Sequence, residues 1–348
     1  MEAKDINIRE LASLAGVSIA TVSRVINNPQ LVQPDTREHV LEVMRRVNYA
    51  PAWTVESRLS GRSRLIAFLF SEKDYYFYSS IRDGLESIVG LRGYTVLYCP
   101  IEAEPQRRSQ QLKTIFEQKL DGAIWALRDF HPEDIRMIDE RQVPLVLARK
   151  YDSAPADRYN CCYINFAEAS YRMTRHLLEM GRRRIGLMFE NVSQQFMNSF
   201  CQGWERALRE EQAPIEDDLL LNAPNTMLGG YTKAVELLER GEMPEAVFCA
   251  SDEQAFGVLK AAHEKGVPVP ERLAVAGFTD SPMSNLCDPE LTTIDLPIYR
   301  LGIIAARMLF DVIEDTGSEV TPGEVVLQPK LRIRRSCGNE KPINVLFE

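Results

Sequence analysis

Residues 18–27 gather side chains whose types and spacing suit contact with a nucleic acid. Three of them carry hydroxyl or amide groups that can donate to phosphate oxygens, namely Thr21, Ser23 and Asn27. Arg24 is long enough for a two-pronged hydrogen bond to a guanine edge. Two apolar side chains at the start of the segment could touch a thymine methyl group, namely Ile19 and Ala20. Spacing alone also permits a small helical subdomain whose polar face binds no DNA.

A helix-turn-helix is predicted to position these side chains. A spacing of three and four turns one face of a first helix inward, with Ile8, Leu11, Ala12 and Ala15. Asn7 can cap that helix, Gly16 can end it, and Ser18 can cap a second helix. The inner residues of the second helix are Val22, Val25 and Ile26. A third helix is expected from about Thr36 to Val47, and its inner residues include Val40, Leu41, Val43 and Met44.

Composition and charge set the broad class. A chain of 348 residues with 45% hydrophobic and 26% charged residues is typical of two or three globular domains. Residues 1–64 hold nine basic and seven acidic side chains, a net charge of +2, so the rest of the chain carries −11 and the whole chain −9. The apolar run 65–70 is far short of a membrane span, which needs roughly 18 residues. Because the N-terminus is charged and polar, we expect a cytoplasmic protein.

The cysteines and histidines give no pattern for a metal or a cofactor. The seven cysteines are scattered and form no C-x-x-C, so we expect reduced and mostly buried thiols. The four histidines are isolated from one another, which disfavours a metal site. We therefore expect no metal and no cofactor.

The stretch from Ile8 to Pro51 resembles the headpiece of the LacI/GalR (lactose-repressor) family of bacterial transcription regulators. The residues that carry the resemblance are AGVS-x-x-TVSRV-x-N, followed by a Tyr-x-Pro. The likeness continues to about Gly338 and leaves out the extreme N-terminus and the tail. It implies that the groove-facing set comprises Ser18, Ile19, Ala20, Thr21, Ser23, Arg24 and Asn27.

Residues 52–64, AWTVESRLSGRSR, correspond to the hinge of that family. The resemblance implies a segment that folds on the operator and wedges a leucine into the minor groove, and Leu59 is the candidate. Leu59 stands ten residues after Tyr49, where the family pattern has nine. The alternative is a flexible linker whose Leu59 packs on the body. Arg62 and Arg64 could attract phosphates in either case.

From Leu65 onward, aliphatic runs alternate with amphipathic helices in two successive sets. This rhythm predicts parallel sheets covered by helices on both faces, in two lobes. The resemblance implies a periplasmic-binding-protein-like core with three crossovers, near Asn165, Leu291 and Val320. The expected domains are a head at 1–51, a hinge at 52–64, a core at 65–338 and a tail at 339–348. Within the core, the expected N-lobe comprises about 65–164 and 292–320, and the C-lobe comprises about 165–291 and 321–338.

Ligands of open α/β sheets bind beyond the carboxyl ends of the strands, and two facing lobes bring two sets of strand ends to one cleft. Aromatic walls suit sugar faces or purine rings, and a few polar groups set orientation. For each aromatic residue alone, a core role fits as well as a ligand role. The candidate effector residues are Phe77, Tyr78, Trp125, Arg128, Arg149, Asn165, Asn198, Asp252, Phe256 and Thr279.

Departures from the family pattern bear on the ligand. Asn198 lies in the region where sugar- and purine-binding members place an Arg, and Thr279 stands where they have an Asp. Arg149 and Lys150 follow a strand that usually ends in Asp-Arg. Compared with the family pattern, the cleft then has one negative charge fewer, and its positive charge lies at Arg149 and Lys150. This change favours an acidic sugar or a sugar phosphate as the ligand. The alternative is that Arg149 and Lys150 point to solvent or to a surface partner.

The residues and the resemblance together predict a ligand-responsive repressor of a carbohydrate-utilisation operon. Because one head reads only a few base pairs, we expect a homodimer on a near-palindromic operator. A regulator that responds to a neutral sugar, a nucleoside or a purine is the alternative. A two-lobed sugar-binding protein or an α/β enzyme is more distant, because phosphate-cradling glycine loops and a G-x-S-x-G elbow are absent from the sequence. We expect no enzyme and no membrane partner.

Overall fold

The computed structural model describes residues 8–27, 32–47, 62–71, 75–151, 153–154, 158–190, 194–314 and 322–338. The chain divides into two compact units. One comprises Met1–Leu65 with Lys119–Asp121, and the other comprises Ile66–Gln118 with Gly122–Glu348. Leu59, the predicted wedge residue, lies outside the described residues.

The first unit contains the helix-turn-helix. Its helices are α1 (Ile8–Leu14), α2 (Ile19–Asn27) and α3 (Pro34–Arg46). Gly16 takes the left-handed conformation with φ of 63°, and the N–H of Val17 donates to the carbonyl of Ala12 at 3.0 Å, which closes α1. The third helix begins two residues before the expected Thr36, because proline suits the first turn of a helix. The buried core comprises Leu11, Ala12, Ala15, Val22, Val25, Val40 and Val43.

A six-stranded sheet forms the N-lobe of the second unit. Its strands are β1 (Leu65–Ser71), β2 (Thr95–Ile101), β3 (Gly122–Trp125), β4 (Leu145–Leu147), β5 (Asn160–Ile164) and β11 (Glu324–Leu327). They lie in the order β11-β5-β4-β3-β1-β2, and β1/β3, β3/β4, β4/β5 and β5/β11 pair in parallel. The helices are α4 (Tyr75–Val89), α5 (Pro105–Phe116), α6 (Pro132–Arg141) and α11 (Ile298–Glu314). This is the doubly wound architecture that the strand-helix rhythm predicts.

A four-stranded parallel sheet forms the C-lobe. Its strands are β6 (Ile185–Phe189), β7 (Leu220–Asn222), β8 (Ala246–Cys249) and β9 (Ala274–Ala276), in the order β7-β6-β8-β9. Its helices are α7 (Phe166–Glu179), α8 (Gln194–Glu210), α9 (Met227–Arg240) and α10 (Asp252–Glu264). Phe248 packs into the cluster that includes α7 and α8, whereas its neighbours Val247 and Cys249 pack with α9 and α10. Both faces of the sheet are therefore covered.

The chain passes between the lobes three times, as expected, but the third passage is later than predicted. The first passage follows β5 at Asn165. The second runs through β10 (Thr293–Asp295) into α11, and the third leads from β11 to β12 (Lys330–Arg332). We expected the third near Val320, yet β11 pairs with β5 from Glu324 to Leu327 and so belongs to the N-lobe. β10 and β12 then pair antiparallel as a two-stranded ribbon.

All seven cysteines are free thiols, and Cys99, Cys162, Cys249 and Cys337 are buried. Burial raises the pKa of the Cys99 thiol to about 11. Burial likewise raises the pKa of Cys161 to about 12. Thiols of this kind stay protonated at neutral pH and are poor nucleophiles.

Candidate functional site

The outward face of α2 presents the predicted DNA-contacting side chains. Ser18, Ala20 and Arg24 are exposed, and Ile19 keeps 45% of its surface open. Thr21 and Ser23 are half-buried, while Val22 and Val25 point into the core. The alternation follows from helical geometry, because residues three and four apart share one face. Asn27 lies on α2, but its side chain is outside the described set.

Ser18 shapes the start of α2. Its Oγ accepts a hydrogen bond from the N–H of Thr21 at 3.1 Å, and the two hydroxyl oxygens lie 2.8 Å apart. Ser18 is therefore an N-cap, as the sequence predicts, and it also aligns the Thr21 hydroxyl. A capped helix start with exposed hydroxyl and guanidinium groups beside it suits entry into a major groove.

Tyr78 belongs mainly to the core of the N-lobe. It is 2% exposed, and its ring packs against Phe68 and Phe70. Its hydroxyl donates to the carbonyl of Ala126 at 2.7 Å and accepts from Nη2 of Arg149 at 3.4 Å. The phenol therefore steadies Arg149 at the carboxyl edge of the sheet and offers no ring face to a ligand. Phe77 lies on α4, and its side chain is outside the described residues.

Trp125 was predicted to line the cleft, and its position corrects that expectation. The residue is fully buried, its indole N–H donates to the carbonyl of Asp129 at 3.1 Å, and its ring packs edge-on against Phe130. Side chains alternate along a strand, so the last residue of β3 points into the layer beneath the sheet. Trp125 supports the strand and is closed to a ligand.

A cavity of about 430 Å³ starts at the carboxyl ends of β1, β2 and β3 and runs along α5 and α6 as far as Lys113 and Arg141. The predicted effector residue Arg128 lines it. Arg108, which the sequence analysis missed, also lines it and donates to both carboxylate oxygens of the buried Asp134, at 2.8 and 2.7 Å. The polar lining and its place beyond the strand ends are typical of a ligand-binding edge.

The positive charge of Lys150 is paired with Glu324 and is not directed at the carboxyl edge of the sheet. Its ammonium group donates to Glu324 at 3.0 Å and to the hydroxyl of Tyr163 at 3.4 Å. The hydrogen bond to Glu324 raises the pKa of Lys150 above its ordinary value. Arg149, half-buried and in contact with Tyr78, is the cation of this pair that remains a ligand candidate.

Asp252 was expected to bind the effector, and the structure gives it another task. The residue is completely buried at the start of α10. One carboxylate oxygen accepts from the hydroxyl of Thr293 at 2.6 Å, and the other accepts from the N–H of Ser281 at 2.6 Å and the hydroxyl of Ser284 at 2.8 Å. Both oxygens are used internally, so Asp252 ties β10 and the loop after β9 to α10.

The remaining predicted effector residues stand at the edges of the C-lobe. Asn165 caps α7, since its side-chain oxygen accepts from the N–H of Glu168 at 3.0 Å. Asn198 is exposed on α8, and Phe256 is half-buried against the cluster of α9 and α10. Thr279 is half-buried with φ of 136°, and its N–H donates to the carbonyl of Ile294 at 3.0 Å. Of these four residues, Asn165 and Thr279 lie beside the passages between the lobes, and the hydrogen bonds given above hold them there.

A buried ion-pair cluster at these passages was also missed. Arg334 is 5% exposed and donates to Asp280 at 2.6 Å and to the carbonyl of Leu291 at 2.7 Å. Arg332 pairs with Asp295 at 2.6 Å across the β10/β12 ribbon. The alternation Arg-x-Arg at the end of β12 was the available signal, because an extended backbone places both side chains on one face. The cluster holds β12 against the loop that follows β9.

The described residues contain neither a metal-binding cluster nor a membrane-spanning helix. No group of three or more His, Cys, Asp or Glu side chains there could hold a metal ion. None of the helices in the same ranges is long and apolar enough to span a membrane.

A helix-turn-helix head joined to a two-lobed, doubly wound core defines a class of DNA-binding regulators with a ligand-binding body. Residues 7–52 match the family model described as bacterial regulatory proteins, lacI family, and residues 174–337 match the periplasmic binding protein-like domain. The chain therefore carries a lacI-family head and a periplasmic binding protein-like domain.

Relatives match along nearly the whole chain. The HTH-type transcriptional repressor PurR of Actinobacillus pleuropneumoniae serotype 5b (strain L20) is 27% identical over 95% of this chain and 98% of its own. Catabolite control protein A of Staphylococcus epidermidis (strain ATCC 12228 / FDA PCI 1200) is 28% identical over 94% and 98%. Among solved structures, a complex of the transcriptional regulator CelR with cellobiose is 28% identical, with a TM-score of 0.71 over 95% of this chain and 99% of that one. The lac repressor dimer bound to operator and the anti-inducer ONPF is 25% identical, with a TM-score of 0.74 over 96% and 99%.

Proposed function

We propose that this protein is a ligand-responsive repressor that binds a near-palindromic operator as a homodimer in the cytoplasm. The observation that carries the proposal is the outward row of α2, where a capped helix start presents Arg24 beside exposed small side chains. A relative of similar length is a lac repressor dimer bound to operator, which supports two heads on one site. We propose three functional parts, which are a DNA-binding head at 1–51, a hinge at 52–64 and an effector-binding core at 65–338.

The proposal contains no catalytic step. The buried carboxylates that stand near strand ends, Asp134 and Asp252, are held by arginine, hydroxyl and N–H donors. Carboxylates held in this way serve to fix loops and are poorly placed to exchange protons with a substrate. The core therefore acts as a binding module whose closure alters the DNA affinity of the heads.

Arg24→Ala tests the DNA-binding surface. We expect a loss of about 1–3 kcal/mol in binding to the preferred duplex, with base preference relaxed at one position in each half-site, if Arg24 makes a bidentate base contact. The measurement is fluorescence anisotropy with a duplex that the wild-type chain selects from a random library. Arg46→Ala removes the same charge from an exposed position on α3 and should leave the base preference intact. Unchanged affinity and preference in Arg24→Ala would contradict the assignment.

For the ligand, we propose a carbohydrate-derived molecule with an acidic group, bound in the interlobe cleft beside Arg149. A guanidinium held by Tyr78 at the sheet edge can form paired hydrogen bonds with a carboxylate or phosphate. The second candidate is a neutral sugar, and the Lys150–Glu324 ion pair favours it because that pair neutralises one of the two predicted cations. A CelR relative is complexed with cellobiose, which is a neutral disaccharide.

Arg149→Ala separates these two ligand classes. A thermal-shift screen of the wild type with neutral sugars, uronic and aldonic acids, sugar phosphates and nucleosides supplies the ligand. At 100 times its Kd a ligand adds about 2.7 kcal/mol of stability. We expect Arg149→Ala to lose the shift with acidic compounds while it keeps ligand-free DNA binding. Lys150→Ala should keep both, because Lys150 is engaged by Glu324. If acidic compounds stabilise Arg149→Ala as much as they stabilise the wild type, the acidic-ligand proposal is wrong.

A further inference from the structure

The last two linker residues, Ser63 and Arg64, form several hydrogen bonds to one carboxylate, that of Asp121. Oδ1 of Asp121 accepts from the N–H of Ser63 at 2.7 Å and from its hydroxyl at 3.0 Å, and Oδ2 accepts from the N–H of Arg64 at 2.9 Å. In return, the N–H of Asp121 donates to the carbonyl of Leu65 at 2.9 Å. The N–H of Leu65 donates to the Ser63 hydroxyl at 3.2 Å. We call this set, formed by Asp121, Ser63, Arg64 and Leu65, the linker clamp.

The linker clamp holds a backbone conformation that the chain would otherwise avoid. Arg64 has φ of 57°, in the left-handed region that residues with a Cβ seldom adopt. Arg64 is not Gly, Asn or Asp, the residues that adopt this region most readily. The charge-assisted hydrogen bond from the Arg64 N–H to Asp121 stabilises it.

The Asp121 end of the clamp is anchored in the sheet. Asp121 immediately precedes β3, whose first residue Gly122 pairs with Ile66 of β1. A Cβ at Gly122 would lie 2.9 Å from a methyl group of Leu309, so α11 closes tightly over this point. The backbone of Asp121 therefore continues directly into a strand that pairs with β1 and packs under α11.

The other end of β3 lies at the proposed effector edge. The N–H of Ala126, directly after the strand, donates to Leu69 of β1 at 2.8 Å, and its carbonyl accepts from the hydroxyl of Tyr78. Tyr78 in turn contacts Arg149. The four-residue strand β3 thus has Asp121, which binds the linker, at one end and Ala126 at the other, and Ala126 is linked through Tyr78 to Arg149.

We propose that Asp121 is a positioning residue for operator binding, because it fixes the last linker residues and so limits the conformations from which the head must be ordered on DNA. The proposal rests on the proposed function. Fixing one backbone residue changes an equilibrium by about a factor of 10, and two heads on one operator are sensitive to linker freedom. Binding to random DNA depends chiefly on phosphate charge and needs no such register.

The test compares Asp121→Ala with Asp217→Asn in the full chain. Each removes one negative charge, and Asp217 is exposed in the C-lobe. Charge removal alone strengthens binding to a polyanion, whereas loss of the clamp weakens binding to the specific site. We expect about 10-fold weaker binding of the duplex selected by the wild type in Asp121→Ala, with little change on a scrambled duplex. Asp217→Asn should bind both duplexes as the wild type does or slightly more tightly.

A second pair of variants keeps the test independent of folding defects at Asp121. Ser63→Ala removes the hydroxyl that contacts both Asp121 and the Leu65 N–H, and Ser63→Thr retains it. We expect weaker specific binding and faster tryptic cleavage after Arg64 in Ser63→Ala, and near-wild-type values for both in Ser63→Thr. A purely structural role would lower thermal stability without changing the ratio of specific to scrambled affinity.

The possible failures are distinguishable. If the wild type enriches no duplex from the library, the proposed function fails and the role of Asp121 fails with it. If a duplex is enriched, but Asp121→Ala and Ser63→Ala bind it as tightly as the wild type, the proposed function stands and the linker clamp has no positioning role.

Discussion

Asp252→Ala is expected to lower the free energy of unfolding by about 3–5 kcal/mol. The substitution leaves the buried hydroxyls of Ser284 and Thr293 and the half-buried N–H of Ser281 without their acceptor. A buried donor left unsatisfied costs about 1–3 kcal/mol, and part of the loss is recovered when the hydroxyls reorient. Urea denaturation followed by circular dichroism measures the change. Asp252→Asn should lose about half as much, because one oxygen still accepts from Thr293.

The neighbouring Glu253 supplies the control. It is half-buried on the same turn of α10, and Glu253→Gln should change the unfolding free energy by no more than about 0.5 kcal/mol. If Asp252→Ala unfolded like the wild type and instead lost a ligand-induced thermal shift, Asp252 would be an effector residue after all. Because both oxygens of Asp252 already accept internal hydrogen bonds, we expect the loss of stability and not the loss of ligand binding.

Gly302→Ala is expected to destabilise the N-lobe by about 3 kcal/mol. A Cβ at this position would lie 2.2 Å from the carbonyl oxygen of Ile81, so α4 and α11 must move apart. Overpacking of this kind costs about 1–3 kcal/mol or more, and the contact here is with backbone that cannot rotate away. The higher helix propensity of alanine, about 1 kcal/mol, offsets part of this loss. Thermal denaturation of the ligand-free chain measures the remainder.

Gly90→Ala is the matched control for this substitution. A Cβ at Gly90 would meet no atom within 4 Å. We expect a change within about 0.5 kcal/mol. Equal stability of Gly302→Ala and Gly90→Ala would contradict the close approach of α4 and α11 at Gly302.

The head could be predicted from sequence because its contacts are local. Its apolar residues recur at three and four positions, its turn needs a glycine with positive φ, and Ser18 caps the second helix. These features depend on neighbours a few residues away. The aliphatic strands of the body were predictable for the same reason, since a run such as 65–70 is buried on both faces.

The strands that the sequence analysis missed are short or polar. β5 reads NCCYI and β11 reads EVVL with Val326 exposed at the edge of the sheet, so neither has the apolar run that marks a central strand. Because β11 gave no signal, the third passage between lobes was placed near Val320. Pairing with β5 over a gap of more than a hundred residues decides its position, and spacing does not reveal that partner.

The effector edge was the least predictable part. Adjacent residues at a strand end point to opposite faces, so an uncertainty of one residue exchanges a ligand contact for a core contact. Trp125 illustrates this, since it is buried while Arg128, three residues on, lines a cavity. Asp252 was misassigned because its three donors come from segments about 30 to 40 residues away.

The central claim is that ligand and DNA binding are coupled through one chain, and reciprocal titration tests it most directly. The duplex selected by the wild type is titrated with protein in the absence and presence of the ligand found by thermal shift. The ligand is then titrated into protein with and without saturating duplex. We predict that each changes the affinity for the other by the same factor, of about 5-fold or more. A ligand that binds tightly while the duplex affinity stays constant would contradict the claim.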